Sequence, residues 1–358
     1  MLARACAALV FAGLLGCGGG SSPASTAPEP PAGRTWLMGF SSTPPRPTTD
    51  AVLQGIDLWS TRADIAAIHE ELPWTDLLAG MSPDAILDRD KMQLVSYMRG
   101  KGLKLYFMAD LTDGLSRGEE APQLRALGRS LTEPAVQQAY RSYVLAVARK
   151  LNPDYLGLVA ETNLIRVAAP APLYAAVVQA ANAAAADLRA AANTAPLISS
   201  VQVETAWGLL GNGGTYQGIE QDFADFPFTE TLGFSSYPYF AYTQPENMPS
   251  DYYSRLLNGR TVPVMVVEGG WTSAAVGSVQ SSPDLQARYV TRHAALLDSV
   301  VARGVIQLEF ADIDLSTVPP PVPANLPLFA QIGFTDSNFN PKPALAAWDA
   351  LYARRLVP

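Results

Sequence analysis

Cysteine occurs only at Cys6 and Cys17, and none follows. Disulfides, thiol catalysis and cysteine-based metal sites are thereby excluded from the rest of the chain. Histidine occurs only at His69 and His293. A histidine-rich zinc centre or a Ser-His-Asp triad would need one of these two, and neither sits in a recognisable motif. His293 falls in a helical stretch, which suits packing. Basic residues are also in deficit: the formal charge is −8 and the isoelectric point about 4.9, so no face for nucleic acid is expected. SSTPPRPTTD (41–50), after the first strand-like run, lacks the glycine fingerprint of a dinucleotide fold. The apolar stretch ACAALVFAGLL (5–15) is too short for a comfortable membrane span. No cofactor is expected.

What is present begins with LLGC (14–17), which resembles the bacterial lipoprotein lipobox, in which the cysteine is lipidated and becomes the new N-terminus. The alternative is an ordinary secretory signal cut nearby. The following GGGSSPASTAPEPPAG (18–33) is too poor in apolar residues to fold and reads as a tether. The expected organisation is a signal peptide over 1–16, lipidated Cys17 and a flexible tether over 17–33, and one domain over 34–358. The resemblance implies a lipid-anchored protein of the bacterial cell envelope.

Beyond residue 33 the pattern alternates. Apolar runs at 35–42, 63–70, 104–111, 155–162, 197–207, 231–240, 262–271 and 304–313 read as strands. Helix-like stretches lie between them, most plainly at 132–151, 172–192 and 282–304. Thr132 and Ser282 are candidate N-caps, each followed by Pro near the first turn, and Gly304 is a candidate stop. Weaker helices are expected at 49–60, 88–101, 217–225, 249–258 and 343–355. Eight strand-then-helix units predict an α/β fold, a single (β/α)8 TIM barrel, with an open doubly wound sheet as the competitor. GNGG (211–214) matches no phosphate motif. A monomer is expected.

Barrel catalysis sits at the C-terminal strand ends. Here those ends gather carboxylates and aromatic rings: His69, Glu70, Glu71 and Trp74; Asp110; Glu161 and Asn163; Gln202, Glu204 and Trp207; Ser235, Ser236, Tyr237 and Tyr239; Glu268 and Trp271; Glu309 and Asp312. That mixture suits carbohydrate, whose C–H faces stack on rings and whose hydroxyls bond carboxylates and amides. Glycosidic cleavage needs two carboxyl groups, one protonated and one ionised. Strand-end carboxylates also hold magnesium in other barrels; no phosphate motif accompanies these, and no metal is expected.

VAETN (159–163), SSYPYF (235–240) and VVEGGW (266–271), in that order, resemble the clan A glycoside hydrolases, and most nearly the endo-β-1,4-galactanases of family 53. QLEFAD (307–312) and GFTDSNFNPKPALAAW (333–348) resemble the closing segments of that clan. The resemblance implies retaining hydrolysis of a β-linked polysaccharide or oligosaccharide, with Glu161 as acid/base and Glu268 as nucleophile. Tyr237 would orient Glu268. Trp271, Trp207 and Trp74 would be stacking platforms, and Asn163, Glu204 and Asp110 would bind substrate. Trp36, inside the first run, reads as core. Two positions depart from the clan: Ala160 stands where it has Asn before the acid, and Leu308 where it has Trp on the last strand. Those departures keep open a second reading, a glycan-binding lipoprotein on a degenerate hydrolase barrel. Two carboxyls across a cleft at retaining separation favour the enzyme; Glu161 held in a salt bridge favours the binder.

Overall fold

Eight short apolar runs, each buried on both faces, can satisfy their backbone groups only by pairing with one another and being covered by helices. The computed structural model describes residues 33–210 and 213–357 and shows that solution. The proposed leader (1–16), Cys17 and the tether as far as residue 32 lie outside the described residues. The strands are β1 (Leu37–Ser41), β2 (Ile65–Glu71), β3 (Lys104–Asp110), β4 (Tyr155–Val159), β5 (Leu197–Gln202), β6 (Thr231–Ser236), β7 (Val264–Gly269) and β8 (Ala302–Gln307). All pair in parallel, and β1 pairs with both β2 and β8, so the sheet closes into a (β/α)8 barrel with no edge.

Helices α1 (Thr49–Trp59), α2 (Met92–Gly100), α3 (Pro134–Lys150), α4 (Ala171–Ala190), α5 (Glu220–Asp225), α6 (Ser254–Leu257), α7 (Pro283–Leu297) and α8 (Pro343–Tyr352) follow the strands in turn. Two apolar layers result. Leu37, Ile65, Tyr106, Met108, Ile198, Met265 and Ile306 fill the barrel, while Trp36, Phe40, Phe107, Val144 and Leu188 belong to the larger layer between strands and helices. Below the barrel, Gly33–Arg34 pairs in parallel with Arg355–Leu356. Arg34 ties this pair to Asp64, just ahead of β2, through a 2.6 Å bond.

Some expected boundaries move. Ser282 does cap α7, accepting from Leu285 N at 3.2 Å, a bond worth about 1 kcal/mol. Thr132 does not cap α3; its hydroxyl bonds Ser130, and Glu133 holds the cap position. Gly304 lies inside β8, because α7 already ends at Leu297. The fifth run breaks at Gln202, whose side chain accepts from Thr205 N and starts a helical turn over Val203–Ala206. Among the described residues, no helix is long and apolar enough to cross a membrane, and no group of three or more His, Cys, Asp or Glu side chains could hold a metal ion.

Candidate active site

The alternation of a strand decides which residues enter the mouth of the barrel. On β2, Ile65 and Ala67 face inward, and His69 continues that series; on β3, Tyr106 and Met108 do the same for Asp110. Strand β7 is different. Met265 and Val267 face inward, so strict alternation would turn Glu268 toward the helices. A register shift against β6, from Phe234 opposite Val266 to Ser235 opposite Glu268, inserts a bulge and re-aims the carboxylate into the mouth. Glu161 reaches the same place by another device. It follows a second register shift in β4 and adopts left-handed backbone angles (φ 49°, ψ 48°) at the start of the short helix Thr162–Ala168. That conformation costs a non-glycine residue about 1–3 kcal/mol and is typical of functional positions. Its N–H is held by Ser200 Oγ at 2.9 Å.

Six side chains then close a ring of hydrogen bonds. Ser235 Oγ lies 2.7 Å from Glu161 Oε1 and 2.9 Å from Glu268 Oε1. The two carboxyl oxygens are therefore no more than about 5.6 Å apart, the sum of those bonds. His69 Nδ1 lies 3.0 Å from Glu268 Oε2, and His69 Nε2 lies 2.6 Å from Asp110 Oδ2. Arg117 donates to Asp110 through Nη1 and to Glu161 through Nε, both at 2.6 Å. Tyr237 adds a longer bond, 3.4 Å, to Glu268.

The ring pushes its two glutamates apart electrostatically. Burial raises the pKa of Glu161, and the neighbouring Glu268 charge raises it further, against the lowering effect of Arg117. Burial acts the same way on Glu268, but the His69 contact overcomes it and the pKa falls below the ordinary value. Burial also opposes charge on His69, yet the bonds to Asp110 and Glu268 win and raise its pKa to about 10. Burial would raise Asp110 too, but Arg117 and His69 hold it low. Ser235 has one hydrogen and two carboxyl neighbours. With Glu161 protonated, Glu161 donates to Ser235 Oγ and Ser235 donates to Glu268, so both bonds are satisfied.

A cavity of about 380 Å³ opens on this ring and is lined by His69, Arg117, Glu161, Tyr237, Glu268 and Glu309, among others. Glu309 follows β8 and is buried, with Oε2 unpartnered among the described residues. Burial and the nearby Asp312 push its pKa well up, against the lowering effect of Lys342. A second cavity, of about 480 Å³, adjoins across Glu161 and Arg117.

Of the residues expected from sequence, Glu161, Glu268, Tyr237 and Asp110 come together. The other residues that the resemblance set against substrate, Asn163, Glu204, Trp74, Trp207 and Trp271, do not line these cavities. Asn163 is committed to backbone: Nδ2 donates to Gln202 O and Oδ1 accepts from Gln202 N, each at 2.8 Å. Glu204 is fully buried, bonded by Tyr252 at 2.6 Å and Ser236 at 3.0 Å, because the helical turn after Gln202 swings it beneath the loop. Trp74 is fully buried on a short helix, and Trp271 packs on Tyr239 and Tyr289 with its N–H on Ser281. Trp207 stacks on Tyr252 under the Arg255 guanidinium. The glycine after Glu268 serves the strands: a Cβ on Gly269 would come 2.3 Å from Ser236 O. Arg117 and Ser235 are the ring members that strand-end reasoning did not single out. Arg117 stands in a loop with no motif, and Ser235 is one of two adjacent serines that sequence does not distinguish.

No family model and no curated protein matches this chain. Solved structures do. An exo-β-1,4-mannosidase from Opitutaceae bacterium strain TAV5 superposes with a TM-score of 0.67 at 15% identity, over 90% of this chain and 60% of its own length. This chain thus spans less than two thirds of that protein. A GH5_18 protein from Streptomyces cattleya, in complex with GlcNAc, gives 0.65 at 17% identity over 91% and 83%. A β-glucosidase, 1317, gives 0.59 at 14% over 86% and 88%. Likeness at this level of identity establishes the shared barrel.

Proposed function

We propose that this chain is a retaining glycoside hydrolase of the clan A type, acting on β-linked sugars. The observation that carries the reading is the shared hydroxyl of Ser235. It sets Glu161 and Glu268 at a spacing compatible with the roughly 5–5.5 Å of retaining enzymes, beside an open cavity, with pKa values moved in opposite directions. Glu268 attacks the anomeric carbon as the glycosidic C–O bond breaks, and the proton of Glu161 passes to the leaving oxygen. Glu161, now ionised, takes a proton from water; the water oxygen bonds the anomeric carbon, and the Glu268 ester bond breaks. His69 and Asp110 keep Glu268 ionised and oriented.

The finer assignment to the family 53 galactanases rests on VAETN, SSYPYF and VVEGGW. The structural neighbours include a mannosidase and a β-glucosidase, which supports β-hexosides as a class. The proposal extends to a monomer held at the bacterial cell envelope through Cys17, on the strength of LLGC.

A second reading has one specific observation in its favour. Arg117 grips Glu161 at 2.6 Å in a buried ion pair, and Ala160 removes the amide that the clan places before the acid. These suit a glycan-binding barrel without turnover. Reducing-sugar release from β-linked galactans, mannans, glucans and xylans separates the two, run beside Glu161→Gln and Glu268→Gln. Release lost in both variants is expected. Release that survives both refutes the site, and retardation in polymer gels without release establishes the binder.

A further inference from the structure

The two cavities on either side of Glu161 differ in chemistry. Glu161 lines both, whereas Glu268 lines only the smaller. In a retaining reaction the sugar undergoing attack lies against the nucleophile and the departing group lies past the acid. The larger cavity is therefore where the departing group sits, an assignment that rests on the hydrolase reading above.

Its walls are formed by Leu115, Leu164, Leu210, Phe240, Leu328 and Phe329. All six keep partial exposure, so they present apolar surface to the cavity and are not sealed core. Most of the polar side chains there are already engaged. Gln202 donates to Glu204 and accepts from Thr205 N. Asn325 Nδ2 donates to Leu115 O at 2.9 Å. Arg117 is held between Asp110 and Glu161. Among the described residues, Thr205 Oγ1 is the lining side-chain group left buried without a partner. The smaller cavity shares Leu115 and Phe329 with it and adds Leu308, Ile313 and Leu326, but it alone also presents Ser41, Thr43, His69, Glu268 and Glu309. A pyranose in the larger cavity would leave several hydroxyls unpaired, whereas an apolar chain would bury its surface there without loss.

We propose that the bond cleaved joins a β-linked sugar to an apolar alcohol, alkyl or aryl, and that the 480 Å³ cavity selects that leaving group over a further sugar. Alkyl chain length isolates the effect, because lengthening the chain changes contact area and hardly alters leaving-group chemistry. The test compares kcat/KM for methyl, hexyl and octyl β-D-mannopyranosides and β-D-glucopyranosides, below micellar concentration, with mannobiose and cellobiose. The expected result is a rise of about 10–100-fold from methyl to octyl, with the octyl glycoside ahead of the disaccharide. Leu328→Asp should cut the octyl-to-methyl ratio by about tenfold. Hydrolysis with a flat chain-length series, or with the disaccharide preferred, overturns the inference and leaves the hydrolase standing. If none of these glycosides is hydrolysed, equilibrium binding of the same set decides: tighter octyl than methyl binding, weakened in Leu328→Asp, upholds an apolar subsite, and equal binding removes it.

Discussion

Arg117 Nε lies 2.6 Å from Glu161 Oε2, so the carboxyl required to carry a proton faces a fixed positive charge. Burial wins that contest and keeps the Glu161 pKa raised, but Arg117 limits how far. The acid limb of the pH–rate profile should follow Glu268, below its ordinary value of 4.5, and the alkaline limb Glu161, above the same value. Activity is then lost upward as Glu161 ionises and downward as Glu268 protonates. Arg117→Gln should move the alkaline limb upward and leave the acid limb nearer its place. It should also destabilise the fold by about 3–5 kcal/mol in urea titrations, since Asp110 and Glu161 lose their shared cation. An unmoved alkaline limb would show that Glu161 is not the titrating acid.

Ser235→Ala removes the one hydroxyl common to both glutamates. Hydrogen bonds to charged groups are worth about 1.5–3 kcal/mol, so kcat should fall by roughly 10–100-fold with little change in KM. Steady-state kinetics check this, and an unchanged kcat would mean that the carboxyls hold their spacing without the serine.

The two histidines should titrate stability in opposite senses. His69 is raised to about 10 in the fold, so its contribution is complete below 6.5 and fades as pH climbs toward 10. His293 is lowered to about 3 by burial, so its contribution is complete above 6.5 and fades as pH drops toward 3. Calorimetric melting of the wild type, His69→Gln and His293→Gln across pH 4 to 10 should show a shallower alkaline decline in the first variant and a shallower acid decline in the second. Identical slopes in all three proteins would contradict these environments.

Asn163→Ala should lower stability and spare catalysis. Both ends of its amide bind Gln202 backbone, and leaving those groups unpaired costs about 1–3 kcal/mol each. Denaturant unfolding should show the loss while KM stays within about twofold. A large rise in KM with intact stability would return Asn163 to the sugar.

The strand count and the barrel are legible because apolar runs and helix starts are local signals, and Glu161 and Glu268 each end such a run. The limits of that reading are equally physical. Glu268 enters the mouth through a bulge that breaks the two-residue period, and hydropathy alone does not show bulges. The tryptophans were misplaced because a ring at a strand end looks the same whether it faces a cleft or, like Trp74 and Trp271, the core. Glu204 shares the strand-end position of Glu161, but the Gln202 cap begins a turn that buries it. Arg117 comes from a loop without a motif, closed by the Thr112–Glu120 bridge and met by Asn325 at Leu115 O. His69 was within reach, since Ile65, Ala67 and His69 share one parity on β2 and only a polar member at the rim needs a reason for facing inward.

The parallel pair of Gly33–Arg34 with Arg355–Leu356 places two segments far apart in sequence side by side, on the floor opposite the catalytic ring. The domain is thus close to circular in its connectivity. A short peptide joining the two segments should let the chain be opened at a surface loop elsewhere with the barrel kept. For the same reason, a fusion partner joined directly to Gly33 or after Leu356 would depart from the floor and leave the mouth unobstructed.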